Sequence, residues 1–251
     1  KSKNATSTSN ILILLFLFLS FIVTGYGLIF LRGKLEEARA EKEKLFITAQ
    51  SLLINIPSHI QLILQGQVDE YALLLKYQKE MASIKGEFAG TALENEWRDF
   101  SNKAAALTQG LKKENVWNIL SRKAELENKF NQIKSISDGQ VDAEGNKTAD
   151  GLLDLSFSAD LPDQFMRLAL SASYMPDNLS LLFSGNKSAV VKFEEEFRKF
   201  KIDMSTASNM VQEGADGSTE VASIIGLGNN FGVLDEVLSA LIALYDQNMR
   251  L

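Results

Sequence analysis

The sequence predicts an all-α protein: an N-terminal transmembrane helix, then long antiparallel helices forming one or two stacked, up-down helix bundles with an internal duplication. Three observations carry this. An uncharged apolar run fills residues 11–31, the apolar period beyond it is helical almost throughout, and two proline–glycine segments repeat at an offset of 119 residues. Cysteine is absent and His59 is the single histidine, so neither a disulfide nor a thiolate metal site is expected, and no cofactor is implied.

Residues 1–10 form a polar flank. The run that follows, ILILLFLFLSFIVTGYGLIFL, opens at Ile11 and closes at Leu31. As a helix it measures roughly 31 Å, the thickness of a bilayer's hydrocarbon core. A cleaved signal peptide has a shorter apolar core and a small-residue cleavage site. Here Arg32, Gly33 and Lys34 follow instead, so the run reads as a retained span. The chain starts at Lys1 rather than methionine, and further residues are expected upstream. Lys1 and Lys3 precede the span, whereas Arg32, Lys34, Arg39, Lys42 and Lys44 follow it. Taken alone this count places the large domain in the cytoplasm; with the upstream flank incomplete, charge leaves the topology open. Beyond Leu31 lie all 32 acidic residues and 24 of the 26 basic ones, an acidic balance that argues against nucleic acid as a partner.

Residues 32–136 read as a first helical repeat and a long helix. Leu31, Leu35, Ala38, Lys42, Leu45, Ala49, Leu52, Ile56, Ile60 and Ile63 alternate steps of four and three, the seam of a long bundle helix that leaves the span without a break and stops at Gly66. Leu74, Tyr77, Met81, Ile84 and Phe88 make a second seam, ending at Gly90. Over 91–136 the spacing predicts one continuous helix of about 69 Å, which absorbs a stutter between Leu111 and Val116. A break at 110–115 is the other reading of the same residues. Continuity gives six long helices, the even number needed if the first helix leaves the membrane and the last returns to it.

Residues 137–160 lack a helical period and read as loop, with 153–159 either a short strand or an extended lead into Pro162. Residues 161–251 form the second repeat and the return helix. Their seams run through Phe165, Leu168, Ala172 and Met175, then Val190, Phe193, Phe197 and Phe200, then Leu234, Leu238, Leu241 and Tyr245, with helix stops at Gly185 and over 214–217. Aromatic and methionine residues at these spacings are packing core.

The offset superposes Pro57 on Pro176, Gly66 on Gly185, Ile56 on Met175, Ile60 on Leu179, Ile63 on Leu182, Leu74 on Phe193, Met81 on Phe200 and Phe46 on Phe165. Each half is a helix with a proline nine residues before a glycine stop, then a partner helix, which reads as a duplication of a kinked unit.

The phrase LFITAQSLLINI over 45–56, the stop at Gly66 and the helix ending near Phe88 resemble the N-terminal sensing module of the PilJ family of type IV pilus (twitching motility) chemoreceptors. That family carries two such modules outside the membrane, and the resemblance spans roughly 45–90 and 165–214. A related module occurs in nitrate/nitrite sensor kinases. Ala49 and Gln50 match the family's Ser-Gln step and Asn55 a polar position after it. The family's basic residues fall here on Phe46, Ser51 and Ile54, leaving Arg167 of the second copy as the one cation in a position to meet an oxyanion. The resemblance therefore implies a protein ligand such as pilin rather than nitrate. The sensing-helix candidates are Gln50, Asn55, Pro57, Arg167 and Pro176.

Other motifs carry less. His59 reads as a surface helix residue, and no activated serine with a carboxylate accompanies it. The glycines of 226–228 match only part of a phosphate loop. The acidic run 194–196 reads as a solvated face, and the Asn-x-Ser/Thr matches at Asn146, Asn178 and Asn186 as chance. No enzyme is read from this sequence. The expected role is an extracytoplasmic, ligand-sensing domain of a chemoreceptor-like transducer in a bacterial inner membrane. The domain would lie in the periplasm, act as a homodimer, and pass helix displacement to a kinase-controlling output domain. The alternative is a structural scaffold component of an envelope or pilus assembly.

Overall fold

The computed structural model describes residues 4–141, 147–158, 161–212 and 219–251. Of the described residues 87% are helical, which places the chain in the all-α class. The chain divides into two compact units, Lys1–Leu52 and Leu53–Leu251, with the boundary inside the first helix, α1 (Asn4–Leu64).

Over 16–31, in the first unit, α1 presents its large apolar side chains outward, whereas Ala49 and Leu52 at the unit's end are buried. Phe16, Phe21, Tyr26 and Ile29 are all more than two-thirds exposed. Beyond them, Arg32 pairs with Glu36 at 3.0 Å and Lys34 with Glu37 at 3.5 Å, exposed pairs at helical spacing that add little to stability. Two described helical stretches, Phe16–Leu64 and Thr219–Asn248, are long and apolar enough to cross a membrane. They differ in burial: the most apolar window of the first is wholly unburied, while 39% of the second is buried as core.

The second unit starts with the end of α1, followed by α2 (Tyr71–Ser83), α3 (Glu94–Leu111), α4 (Glu114–Ser121) and α5 (Lys123–Asp138). Short 3-10 turns precede α2, at Val68–Glu70, and follow it, at Lys85–Phe88. The helix expected over 91–136 is thus broken twice. Leu111, Val116, Leu120 and Leu126 are all buried, and a straight helix cannot turn Leu111 and Val116, five residues apart, to one face. The chain instead tightens at Lys112 and Lys113, extends at Lys113 (φ −56°, ψ 132°), and breaks again at Arg122. The Lys112 ammonium lies 3.5 Å over the Trp117 ring, which itself meets Tyr71 edge-on.

The segment expected as loop carries structure of its own. β1 (Gln140–Val141) pairs antiparallel with β2 (Lys147–Ala149), Gln140 opposite Ala149. Leu152–Ser158 is a helix, α6, not a strand. Leu152 and Ser156, one turn apart, face inward, and the Ser156 hydroxyl donates to the Leu152 carbonyl. Of the alternating Leu153, Leu155 and Phe157 that resemble a strand, the first two are half-buried and Phe157 is exposed. Residues 142–146 and 159–160 lie outside the described residues.

Then come α7 (Asp163–Leu182), α8 (Lys187–Gln212), α9 (Thr219–Gly228) and α10 (Gly232–Asn248), with a 3-10 turn at Asn229–Phe231. α7 and α8 pack along one another as a hairpin, α5 and α6 lie on α7, and α9 closes against α5 and α8. Phe130, Phe165, Phe193, Phe197, Phe200 and Phe231 fill the space between, all at most 2% exposed. Phe130 stacks on Phe231 with centroids 4.2 Å apart. Ser137 donates to the Ala169 carbonyl and Lys134 to that of Ser173, tying α5 to α7. α10 continues from this layer to pack on α8, α4 and α3, and α2 packs on α3.

Of the expected stops, Gly66, Gly90 and Gly185 have positive φ (88°, 72° and 77°); the stop at 214–217 lies outside the described residues. Pro57 and Pro176 are both inside continuous helix. Replacing Phe130 with alanine is expected to cost about 3–5 kcal/mol, lowering the melting temperature followed by circular dichroism by roughly 10 °C.

Candidate functional site

Two helices that end inside a domain each leave carbonyls without helical partners. In the second unit the ends of α1 and α7 meet, and the residues around them form the candidate site. Both ends turn on a left-handed glycine, Gly66 and Gly185, nine residues after a proline. The positions paired by the repeat behave alike: Ile56 and Met175, Ile60 and Leu179, Ile63 and Leu182, Leu74 and Phe193, and Met81 and Phe200 are all buried. Phe46 and Phe165 depart from this, at 65% and 0% exposure.

The glycines also make room. A Cβ on Gly185 would lie 2.3 Å from the Gln65 amide nitrogen, and one on Gly66 would lie 2.8 Å from the Lys123 side chain and 3.4 Å from the Phe183 ring. Gln61 Nε2 donates to the Gly185 carbonyl at 2.9 Å. Lys123 Nζ donates to the Gln65 carbonyl at 3.4 Å while lying 5.1 Å over the Phe183 ring. A cation at a helix C-terminus offsets the partial negative charge of that end.

The last helix fastens this junction. The Tyr245 hydroxyl, on a side chain 3% exposed, donates to the Leu64 carbonyl at 3.0 Å. Burial pushes the phenol up to about 12, against a backbone hydrogen bond from Gly185 that acts in the opposite direction. One turn on, Asn248 Nδ2 donates to the Pro57 carbonyl at 3.2 Å. Between them Asp246 pairs with Lys187 at the start of α8, 2.7 Å away, and this hydrogen bond holds its carboxyl below the usual range. Farther along α10, Lys201 pairs with Asp235 and Asn115 reaches Glu236 at 3.2 Å. A cleft of about 330 Å³ separates α10 from α3, lined by Gly110, Lys113, Leu244 and Gln247 among others.

The residues singled out in the sequence are not gathered into one cavity. Gln50 is exposed on α1 in the first unit. In the second, Asn55 is half-buried and bonded, and Pro57 sits beneath Asn248. Pro176 is half-buried in α7, and Arg167 lines a separate groove between α7 and α8. His59 is no open surface residue: its side chain is 15% exposed, Nδ1 lies 2.8 Å from the Glu70 carboxylate, and the ring packs 5.2 Å from Tyr77. Asn186 caps α8, its side-chain oxygen accepting from the Ser188 N–H at 2.9 Å. Gly226 and Gly228 lie within α9. Of the acidic run, Glu196 is paired with Lys199 at 2.8 Å. Among the described residues no three His, Asp or Glu side chains are grouped to hold a metal ion.

Tyr245, Asn248, Gln61 and Lys123 carry the junction, and sequence reasoning reached only Tyr245, as a seam position. These features define an all-α domain whose last helix is hydrogen-bonded to the end of its first. Comparison with known protein families, characterised proteins and solved structures finds no match.

Tyr245→Phe leaves the Leu64 carbonyl without its donor and is expected to cost about 1–2 kcal/mol at neutral pH. Because the folded phenol titrates above its unfolded value, its contribution is complete below pH ~10 and is lost as pH rises toward 12. The gap in melting temperature between wild type and Tyr245→Phe is therefore expected to narrow between those values. Gly185→Ala is expected to lower stability by about 1–2 kcal/mol from its left-handed backbone alone, measured by urea unfolding.

Proposed function

We propose that the chain is the sensing part of a membrane-anchored, chemoreceptor-like transducer of a bacterial inner membrane. In this reading residues 11–31 cross the bilayer and the helices beyond them lie in the periplasm as two stacked bundles. The bundles descend from one duplicated unit, and their proline-bearing helices abut at the glycine junction. The domain binds a protein partner, with pilin the leading candidate from the likeness to the PilJ family, and passes a displacement of its first and last helices to a kinase-controlling output domain. The role is binding and transmission rather than catalysis.

One observation carries the reading. Tyr245 and Asn248 of the last helix hydrogen-bond the carbonyls of Leu64 and Pro57 in the first, so a shift of either helix loads the other. Packed helices bonded in this way move as elements with discrete arrangements, the means by which receptors convey small displacements. The wholly unburied apolar window of α1 supports the membrane span.

Two measurements test this. Single cysteines scanned over 35–49 in native membranes are expected to crosslink dimers with a period of three to four residues; no dimer at any position removes the paired first helix. In this reading the partner meets the end of the domain that carries 137–160; full-length protein in lipid nanodiscs is expected to capture purified major pilin, and to lose it when 140–150 is replaced by a short linker that keeps Ser137 and α6. Capture that survives the replacement moves the contact surface elsewhere, and no capture by wild type removes pilin as the partner.

A further inference from the structure

The groove between α7 and α8 combines exposed apolar side chains with charges of both signs. Its volume is about 360 Å³, and it holds three large apolar side chains left in solvent: Leu170 (42% exposed), Tyr174 (60%) and Ile202 (59%). Around them stand Arg167, Lys199, Glu196 and Asp203, two charges of each sign on a chain of net charge −6. Glu196 pairs with Lys199 on its own helix. Among the described residues the Arg167 guanidinium and the Asp203 carboxylate have no ion pair.

The register of the hairpin gives these charges an order. α7 and α8 run antiparallel from the turn at Gly185, so Arg167 on one wall stands level with Asp203 on the other. Ser171 stands level with Lys199 in the same way, and Tyr174 with Glu196. A rotation of 180° about the groove's long axis exchanges the walls and keeps each level. It therefore brings Arg167 to the partner's Asp203, and the Tyr174 hydroxyl to the partner's Glu196, each contact made twice. Leu170 and Ile202 are covered at the centre.

We propose that this groove is a self-docking face, taken by the α7–α8 groove of a second copy about a two-fold axis parallel to the helices. The inference deepens the homodimer of the reading above by giving it a contact in the second unit. A patch holding equal numbers of both charges in matched register fits itself, whereas a partner of one dominant sign would leave two charges unmet. Two chains anchored in the same bilayer meet at high effective concentration, so a patch smaller than a free-standing dimer interface suffices.

The chain has no cysteine of its own, so introduced ones report directly. Full-length Ser171→Cys and Lys199→Cys proteins, with different tags, are co-expressed and treated in membranes with a short bis-maleimide. The mixed Ser171→Cys/Lys199→Cys product is expected to exceed either self-product. Arg167→Glu, or Asp203→Arg, places like charges together twice and is expected to reduce the mixed product about tenfold. The double variant Arg167→Glu/Asp203→Arg is expected to restore it, with circular dichroism confirming that all three melt like wild type. The proposal is overturned if the mixed product is no greater than that from Ser205→Cys, on the edge of α8 that faces α9 instead. It is equally overturned if Ser171→Cys self-links preferentially, as it would under another symmetry, or if the folded double variant fails to recover. Dimers that still crosslink over 35–49 while the groove does not would reject this contact and leave the receptor reading standing.

Discussion

The hydrogen bond from Tyr245 to the Leu64 carbonyl answers the hardest demand this fold makes of its chemistry. Helix C-termini normally finish in water, where the last carbonyls are hydrated. Here two of them meet, and their partial negative charges face a common region. Left-handed glycines turn both chains away, Gln61 and Lys123 donate to carbonyls of the turns, and Tyr245 brings a donor from a third helix into a buried position. The reversal of α1 into α2, that of α7 into α8, and the seat of α10 all depend on these few bonds. The raised phenol follows from the same burial that makes the bond worth having.

Hydropathy alone would treat the two ends of the chain alike. The first apolar stretch and the last both satisfy the length and composition of a span, yet one keeps its apolar window in the open and the other spends much of it on the core. The last helix carries Asp235, Glu236 and Asp246 on its outer side, each engaged by a side chain from α8 or α4. A helix that is apolar on one face and engaged through polar side chains on the other is a core helix of a packed layer. The first helix shows no such division over 16–31, where its large apolar side chains are exposed.

The seams and stops were legible in the sequence because they depend on two local rules, the 3.6-residue period and the left-handed turn that favours glycine. Those rules located the burial of Ile56 through Ile63 and of Phe193 through Phe200, and the ends at Gly66, Gly90 and Gly185. They did not decide between a stutter absorbed and a helix broken at 111–116, because that depends on whether a neighbour accepts Lys112 over its aromatic rings. The helix at Leu152–Ser158 was hidden by apolar residues at alternate positions that imitate a strand. Least legible were the contacts of the junction. His59 with Glu70, and Tyr245 with Leu64, join residues whose proximity follows only from the assembled fold.

The space left by the missing side chains at the junction has a consequence for how such a chain can change over generations. The room at Gly185 is filled by Gln65 and that at Gly66 by Lys123 and Phe183, so each proline–glycine segment keeps its turn beside groups from outside itself. A larger residue at Gly185 needs a backbone that tolerates the left-handed turn, and it displaces the Gln65 amide, the mobile end of a long side chain. A substitution in one segment is therefore felt by the other through the contact of Gln65 with Gly185.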